Sequence, residues 1–293
     1  MVPLTWCLRC ACVDTESQVL TCVYPGRTEE KVSAAVAALK EHAARLIGGF
    51  GDNVVGCCGD VTAKPDMQKL WDFGVESFGK IDCWICNAAV SPGVELADVS
   101  PEAVMETLAT NVAGTLHGCQ VAMAGMKAQP GGGRIYFVEG LGSDGRHMGS
   151  SSALYGSSKY CNAYLASAFE ADLAAQKISH VRIGRLQPGM VMTDLLLARY
   201  KRCDPAGRAE FKKICNILAE PEGAVTPWLA DGTCKCDLIH ASLSLSLSLS
   251  PPPLPYITYV SMVYRMHACI TSTHERKCAR KYACVRVCVC THV

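Results

Sequence analysis

The sequence predicts an α/β fold built on a doubly wound parallel sheet. Between residues 21 and 230, short apolar runs rich in Val, Ile and Cys alternate with longer amphipathic stretches, which is typical of strands joined by crossover helices. Polar and small residues follow these runs, where a parallel sheet presents its ligand-binding edge. With 49% hydrophobic residues among 293, the chain has enough apolar material for a sizeable core.

Five apolar runs are the strand candidates, because each is short and most are rich in Val, Ile or Cys. In chain order they are Thr21–Tyr24, Asn53–Cys58, Ile81–Cys86, Arg134–Val138 and His180–Leu186. The longer amphipathic stretches between them are the helix candidates Glu29–Ile47, Pro65–Phe78, Pro101–Lys127 and Leu154–Gln176. In the second helix, one face at helical spacing carries Met67, Leu70, Trp71, Gly74, Val75 and Phe78.

The composition excludes several classes of protein. A formal net charge of +1 is too small for the broad basic field of a dedicated nucleic-acid binder. No apolar run approaches the roughly 20 residues of a transmembrane helix. The chain has 19 cysteines, and those in its middle lie in apolar contexts where a free thiol packs as a small hydrophobe. We therefore expect a reducing compartment rather than a disulfide scaffold.

The sequence divides into three parts. Residues 1–20 are an atypical N-terminal segment, residues 21–231 are the predicted α/β domain, and residues 232–293 are a low-complexity tail that we predict to be disordered. The tail alternates Leu and Ser from Leu243 to Ser250, and it alternates again from Cys284 to Cys290. Simple dinucleotide repeats in DNA translate into such two-residue periods. We therefore interpret the tail as non-coding or frame-shifted sequence; the alternative is a genuine disordered tail.

Tyr155 and Lys159 carry the clearest chemical signal. On a helix, positions i and i+4 lie one above the other. An ammonium near a phenol stabilises the phenolate, so Lys159 is expected to lower the Tyr155 pKa. Such a tyrosine can deliver a proton to a carbonyl oxygen as a hydride arrives. The spacing alone is weak evidence, because both residue types are common on exposed helix faces.

Further candidates lie mostly at the ends of the predicted strands. Ser143 lies twelve residues before Tyr155 in a Gly-rich turn, and its hydroxyl is placed to bond the same carbonyl oxygen. Asn111 lies within a predicted helix, which is a poor place for Asn unless it makes a specific hydrogen bond. The other candidates at strand ends are Asp60, Val61, Asn87, Ala88, Ala89, Pro188, Gly189, Val191 and Thr193. Each has a structural alternative, such as Thr193 capping a helix, but the combination is hard to obtain by chance.

From about Thr21 to Leu229 the chain resembles the short-chain dehydrogenase/reductase family, which implies a single Rossmann-type domain with a nicotinamide cofactor. The residues that the resemblance implies as catalytic are Asn111, Ser143, Tyr155 and Lys159. Those that it implies as cofactor-binding are Asp60 and Val61 near the adenine, Asn87 to Ala89 along the cofactor, Pro188 to Thr193 around the nicotinamide, and the pair Tyr155 and Lys159. Arg27 resembles the family's selector for the 2′-phosphate of NADPH, since a guanidinium suits phosphate; the alternative is an exposed arginine at a helix start.

Four segments, 126–135, 139–146, 188–197 and 216–221, resemble more narrowly the chlorophyll(ide) b reductases of the non-yellow-colouring type. The turn from Glu139 to Ser143 matches the acidic-Gly-x-Gly-Ser pattern of that branch. The resemblance implies NADPH-dependent reduction of the C7 formyl group of chlorophyll(ide) b to hydroxymethyl, the first step of its breakdown in chloroplasts. Tyr155 would protonate the formyl oxygen, and Ser143 would polarise it. Lys159 would lower the Tyr155 pKa and hold the ribose, and Asn111 would anchor a proton-relay water.

The chain departs from the family pattern near its start. The family has a first strand and a Thr-Gly-x-x-x-Gly-x-Gly turn whose amides hold the pyrophosphate, whereas residues 1–20 contain no glycine. We therefore expect a sheet without its usual first strand and a site without its usual phosphate cradle. Cys86 and Ala89 stand where the family usually has Asn and Gly. One extra residue separates Ser143 from Tyr155 relative to the branch.

Two other functions stay open. One is a generic short-chain carbonyl or alcohol oxidoreductase, and the other is a catalytically dead protein that binds pigment or a sister reductase. Independently of this choice, a sister reductase or a second copy of the chain is an expected partner. The missing Gly-rich turn favours the dead protein, and the Tyr155–Lys159 pair opposes it. The pairs Cys7-x-x-Cys10 and Cys83-x-x-Cys86 lack further ligands, so we predict no metal site. Residues 1–20 show neither a secretory signal nor a typical transit peptide, so the expected chloroplast location rests on the resemblance.

Overall fold

The structure is a computed structural model that describes residues 20–47, 54–146, 149–220, 240–242 and 286–291. Its strands are β1 Leu20–Gly26, β2 Val54–Cys58, β3 Cys83–Cys86, β4 Gly133–Val138, β5 Val181–Gln187, β6 Met190–Val191, β7 Ala219–Glu220, β8 His240–Ser242 and β9 Arg286–Thr291. Its α-helices are α1 Glu29–Ile47, α2 Lys64–Phe78, α3 Pro101–Leu108, α4 Thr115–Ala128, α5 Ala153–Ala175, α6 Asp194–Arg202 and α7 Pro205–Leu218.

Seven of these strands form one parallel sheet in the order β2-β1-β9-β3-β4-β5-β8. Strands β6 and β7 pair separately. Parallel neighbours cannot be joined by tight hairpins, and helices α1, α2, α4 and α5 lie in the connections between the successive strands β1 to β5. The predicted α/β class with a parallel sheet is therefore confirmed.

The predicted strands and three of the four predicted helices form, with small differences at their ends. Helix α2 buries Met67, Leu70, Trp71 and Gly74, the face that the sequence predicts. The predicted helix from Pro101 to Lys127 is instead three pieces, because the π-helical turn Ala109–Gly114 separates α3 from α4. The start of α3 is fixed locally: the Ser100 hydroxyl accepts a hydrogen bond from the Ala103 N–H at 3.2 Å, and Pro101 occupies the first turn.

The core lies between the sheet and the helices packed against it. Trp84 of β3 is fully buried, and its ring centroid lies 6.1 Å from that of Trp71 on α2. Helix α4 approaches the same rings through Gly125, where any Cβ atom would overlap the Trp71 ring. In the same hydrophobic cluster, Phe137 of β4 packs against Phe169 of α5 with ring centroids 6.2 Å apart. These aromatic contacts hold α2, α4 and α5 at fixed positions on the sheet.

Strand β9 occupies the centre of the sheet, between β1 and β3. It runs parallel to both, with Cys288 in register with Cys22 on one side and with Cys83 on the other. The sequence leads us to expect a sheet that lacks this central member, and a tail without sheet strands. In the structure, β9 from the C-terminal part of the chain occupies this central position. Pairing between residues more than 200 positions apart leaves no local signal, so the alternating pattern alone could not reveal it.

Several predictions fall on residues outside the described ranges. They concern residues 1–19, including Cys7 and Cys10, and the Leu–Ser repeat of the tail. The chain divides into two units, and the second, Leu243–Cys284, lies wholly outside the described residues. The boundaries predicted at residues 20 and 231 therefore stay predictions. None of the helices in the described ranges has the length and apolar character that crossing a bilayer requires.

Candidate active site

The predicted site residues meet at one edge of the sheet. Because the strands are parallel, the segments that follow β1, β2, β3, β4 and β5 all begin at the carboxyl edge. These segments carry Arg27, Asp60, Val61, Asn87, Ala88, Ala89, Ser143, Pro188, Gly189, Val191 and Thr193. The first turns of α5 add Tyr155 and Lys159. The structure therefore brings these residues to one edge of the sheet, and their roles stay predictions.

Tyr155 and Lys159 lie one turn apart on α5, and both are held against the sheet. Lys159 is only 2% exposed, and its Nζ donates a hydrogen bond to the backbone oxygen of Val138 at 2.9 Å. The same Nζ lies 5.8 Å from the centre of the Tyr155 ring. The ammonium therefore sits over the ring, anchored by the last carbonyl of β4.

Burial controls the acidity of both groups. It raises the pKa of Tyr155 to about 12, which is opposite to the lowering that the sequence predicts. The reason is that the surroundings of the phenol disfavour the phenolate, and the ammonium is bonded to a carbonyl rather than to the hydroxyl. Burial lowers the pKa of Lys159 to about 8, while Cys86 and Glu139 act in the opposite direction. The pair therefore combines a protonated phenol with a lysine that titrates just above neutral pH.

Ser143 is fixed by the turn that follows β4. Its hydroxyl accepts a hydrogen bond from the Gly140 N–H at 2.9 Å and lies 3.5 Å from the backbone oxygen of Lys159. Gly140 in turn backs the Tyr155 hydroxyl, since a Cβ at this glycine would stand 2.5 Å from the phenolic oxygen. The turn thus joins buried Ser143 and Lys159 to half-buried Tyr155.

Asn111 lies in the π-helical turn and connects three segments. Its side chain accepts from the Val90 N–H at 2.8 Å and donates to the Val90 oxygen at 2.9 Å and to the Ser158 hydroxyl at 2.9 Å. Its backbone oxygen accepts from Thr115 Oγ1 and from Asn162 Nδ2, each at 2.8 Å. The specific hydrogen bonds that the sequence predicts for Asn111 are confirmed. They tie the loop after β3 to α5 through the irregular turn.

The residues after β2 form a compact turn. The Asp60 carboxylate accepts from both the N–H and the hydroxyl of Thr62, at 2.9 and 2.8 Å. Val61 is buried against Gly114, where a Cβ would come within 2.8 Å of a Val61 methyl group. Because residue 114 is a glycine, the π-helical turn can pack closely against the residues that follow β2. Arg27 lies exposed in the bend between β1 and α1.

The segment after β5 carries the last candidates. Gly189 has a φ of 74°, which allows the chain to turn from β5 into β6. Val191 and Thr193 are buried. The Thr193 side chain accepts a hydrogen bond from the Leu196 N–H at 3.4 Å. Thr193 therefore caps α6, which is the structural role that the sequence also allows for this residue.

Sequence reasoning missed the supporting polar residues. Ser158 donates to the Tyr155 backbone oxygen at 2.7 Å, and buried Asn162 binds the oxygen of Asn111. Glu139 forms an ion pair with Arg185 on the neighbouring strand, 3.7 Å from Oε1 to Nη1. Ser158 could have been found from its position, because it is a polar residue three positions after Tyr155 on the inner face of α5. Over the described residues, no group of three or more ligating side chains could hold a metal ion.

Comparison with known families agrees with this geometry. The sequence model of the family described as short chain dehydrogenase matches residues 11–203. A solved structure of a short chain dehydrogenase/reductase from Burkholderia phymatum in complex with NAD covers 73% of this chain and 77% of its own, with a TM-score of 0.60 and 21% identity. A short chain dehydrogenase from Burkholderia cenocepacia in complex with NADP gives a TM-score of 0.57 at 19% identity, covering 72% of this chain and 79% of its own. At these identities the structures show a shared fold.

More similar sequences come from plants. Chlorophyll(ide) b reductase NOL, chloroplastic, from Oryza sativa subsp. japonica is 36% identical over 209 residues, covering 69% of this chain and 56% of that protein. Probable chlorophyll(ide) b reductase NYC1, chloroplastic, from the same species is 33% identical over 172 residues, covering 58% of this chain and 33% of that protein. The chain thus spans little more than half the length of the first of these relatives.

Proposed function

The chain belongs to the short chain dehydrogenase family, and on that basis we propose that it is an NADPH-dependent chlorophyll(ide) b reductase. The reaction is reduction of the C7 formyl group to hydroxymethyl, in chlorophyll b breakdown. The names of its plant relatives support this substrate and a chloroplast location. Because the chain spans little more than half of the first relative, the complete activity belongs to the proposal.

The nicotinamide half of a cofactor fits the described residues. An ammonium has three N–H donors, and the Val138 oxygen takes one from Lys159, so two suit the hydroxyls of a ribose. Thr193 and Val191 would line the nicotinamide, and Asn87, Ala88 and Ala89 would line the path towards the adenine. When bound, a reduced nicotinamide supplies a hydride.

The phosphate half of the cofactor fits less well. In the family a Gly-rich turn follows the central strand, whereas neither residues 1–20 nor residues 286–293 contain a glycine. The 2′-phosphate would rely on Arg27, next to which α1 begins with the acidic pair Glu29 and Glu30. The choice of NADPH therefore rests on one guanidinium with two carboxylates nearby.

The residues of the chain divide the proton chemistry between them. Tyr155, protonated at neutral pH, donates its proton to the formyl oxygen, and the Ser143 hydroxyl polarises that oxygen. The Lys159 ammonium stabilises the phenolate that remains. Asn111 holds the loop after β3 against α5 and would orient a relay water. These are the roles that the family resemblance implies, and they are proposed for residues at or near the carboxyl edge of the sheet.

The observation that carries the proposal is the pair of half-buried Tyr155 and buried Lys159 at the carboxyl edge. Its test is turnover of chlorophyllide b with NADPH by the full chain and by Tyr155→Phe. We expect the variant to lose reduction because the proton donor is gone. The matched control is Tyr164→Phe, on the same helix but 73% exposed, which should keep full activity. Equal turnover by Tyr155→Phe and the control would contradict the proposal.

The cofactor is tested separately by an NADPH titration followed through cofactor fluorescence. Saturable binding that is weakened by Arg27→Ala, but not by Lys31→Ala on the same exposed helix start, would support NADPH and its selector. No binding at millimolar NADPH would contradict the enzyme reading of this chain and favour a dead binding partner. The absence of glycine from residues 1–20 is the observation that keeps this second function in view.

A generic carbonyl reductase is the remaining candidate. The observation that favours it is the family membership itself, because the proton-donating pair acts on a carbonyl of any substrate. Turnover of simple aldehydes without turnover of chlorophyllide b would establish it. Native mass spectrometry of the chain, alone and mixed with a relative, would show whether it associates with itself or with a sister reductase.

A further inference from the structure

Glu139 lies where β4 ends, on the face of the sheet that α5 covers. Phe137 of β4 stands opposite Arg185 of β5 in the register, and its ring packs against Phe169 of α5. Residues i and i+2 of a strand share a face, so Glu139 continues the face of Phe137. The ion pair between Glu139 and Arg185 agrees with this placement.

Lys159 enters the same corner from α5. Its ammonium bonds the oxygen of Val138, the residue directly before Glu139. Both groups are shielded from water: Lys159 is 2% exposed, and the Glu139 side chain is 15% exposed. A charge in such a place is costly unless a partner of opposite sign stands nearby.

Among the residues that the structure describes, the groups that face this corner include one anion. Cys86 comes from β3, but burial raises its pKa to about 12, so the thiol is neutral. Tyr155, on the same helix as Lys159, is neutral for the same reason. Arg185 of β5 adds a second positive charge, 3.7 Å from Glu139. Glu139 is therefore the negative counter-charge for two positive groups, Lys159 and Arg185.

We propose that Glu139 is a positioning residue that keeps the buried Lys159 charged for the reaction. The inference rests on the proposed function only in giving Lys159 a catalytic task. Glu139 favours the ammonium against the burial that drives it towards the neutral amine. The acidic residue of the turn between β4 and Ser143 thus acts on the tyrosine through the lysine.

The experiment is a pH titration of the Lys159 amine by NMR, in full-length protein with ¹⁵N-labelled lysine. Lys159→Met assigns the signal. In Glu139→Gln the Lys159 pKa should fall by about one unit or more, because the anion is lost while the Arg185 charge remains. Glu139→Asp should keep most of the original value. Arg185→Gln should shift the pKa upwards, because it removes a like charge.

The matched control is Asp82→Asn, which removes a carboxylate of similar exposure, 20%, that pairs with Lys80 at the opposite end of β3. It should leave the Lys159 pKa unchanged. A Lys159 pKa that is unchanged in Glu139→Gln would overturn the proposal, and so would a downward shift in Arg185→Gln. Opposite shifts in these two variants cannot come from general loosening of the fold.

Turnover separates this proposal from the proposed function. If the chain reduces chlorophyllide b, the alkaline limb of the pH profile should move to lower pH in Glu139→Gln and return in Glu139→Asp. Equal losses at every pH, without movement of the limb, would refute the role of Glu139 in the reaction. If no reduction occurs while the NMR shifts appear, the charge coupling stands and the assignment of the activity falls.

Discussion

Replacing Lys159 by Met tests what the buried ammonium costs the fold. The side chain is 2% exposed and its pKa is lowered from 10.5 to about 8. In the unfolded chain the amine keeps its ordinary pKa, so between these two values the unfolded state binds more protons than the folded state. Stability therefore rises with pH through this window. Below it the folded protein bears the whole cost of a buried charge.

The size of this cost follows from the two pKa values. Their difference corresponds to about 3 kcal/mol at pH 7, and about 2 kcal/mol of this disappears by pH 9.5. Methionine has a similar shape and no charge, but it leaves the Val138 oxygen without its donor, which costs about 1–3 kcal/mol. We expect Lys159→Met to be about 1 kcal/mol more stable than the wild type at pH 7 and less stable near pH 9.5.

The assay is urea unfolding of both proteins at several pH values, followed by circular dichroism. The quantity of interest is the difference between the two free energies of unfolding, because other titrating groups cancel in it. Lys80→Met, at a side chain 39% exposed, serves as the control and should show no such pH-dependent difference. Parallel pH curves for the wild type and Lys159→Met would refute the reasoning.

Three further substitutions test other parts of the structure. Gly140→Ala should lower turnover by about 10- to 100-fold, because the methyl group displaces the Tyr155 hydroxyl; unchanged steady-state kinetics would argue against the contact. Gly125→Ala should lower the free energy of unfolding by about 1–3 kcal/mol, since its methyl group overlaps the Trp71 ring, and urea denaturation measures it. Val289→Pro removes a backbone N–H from β9 and should lower the thermal midpoint; an unaltered midpoint would contradict a central position for this strand.

Local patterns predict most of the elements correctly. Helix α1 has the predicted bounds, and the buried face of α2 is the one that helical spacing indicates. Asn111 shows how far such reasoning reaches. A polar residue within an apolar helix predicts a specific hydrogen bond, and the bonds to Val90 and Ser158 are present. The π-helical turn around it could not be predicted, because it results from packing between α3, α4 and α5.

Interactions between residues far apart in sequence account for the features that the sequence did not predict. The direction of the Tyr155 pKa depends on burial by chain segments far away in sequence, and the spacing to Lys159 cannot report that burial. The sequence identifies Glu139 only as the acidic residue of the pattern from Glu139 to Ser143. Its proximity to Lys159 depends on how α5 crosses the sheet. The place of β9 in the sheet is the extreme case, since its neighbours β1 and β3 lie more than 190 residues away in sequence.

The buried lysine bears on the choice between an enzyme and a dead binding partner. A protein that only binds pigment or another subunit gains nothing from an ammonium that costs about 3 kcal/mol of stability at neutral pH. A proton-transfer site does gain, because a lysine near its pKa responds to charge that develops on the neighbouring phenol. The residues that lower this cost, Val138 and Glu139, stand on the same strand end. The buried lysine therefore favours the proposed reductase over a dead binding partner, and the NADPH titration decides between them.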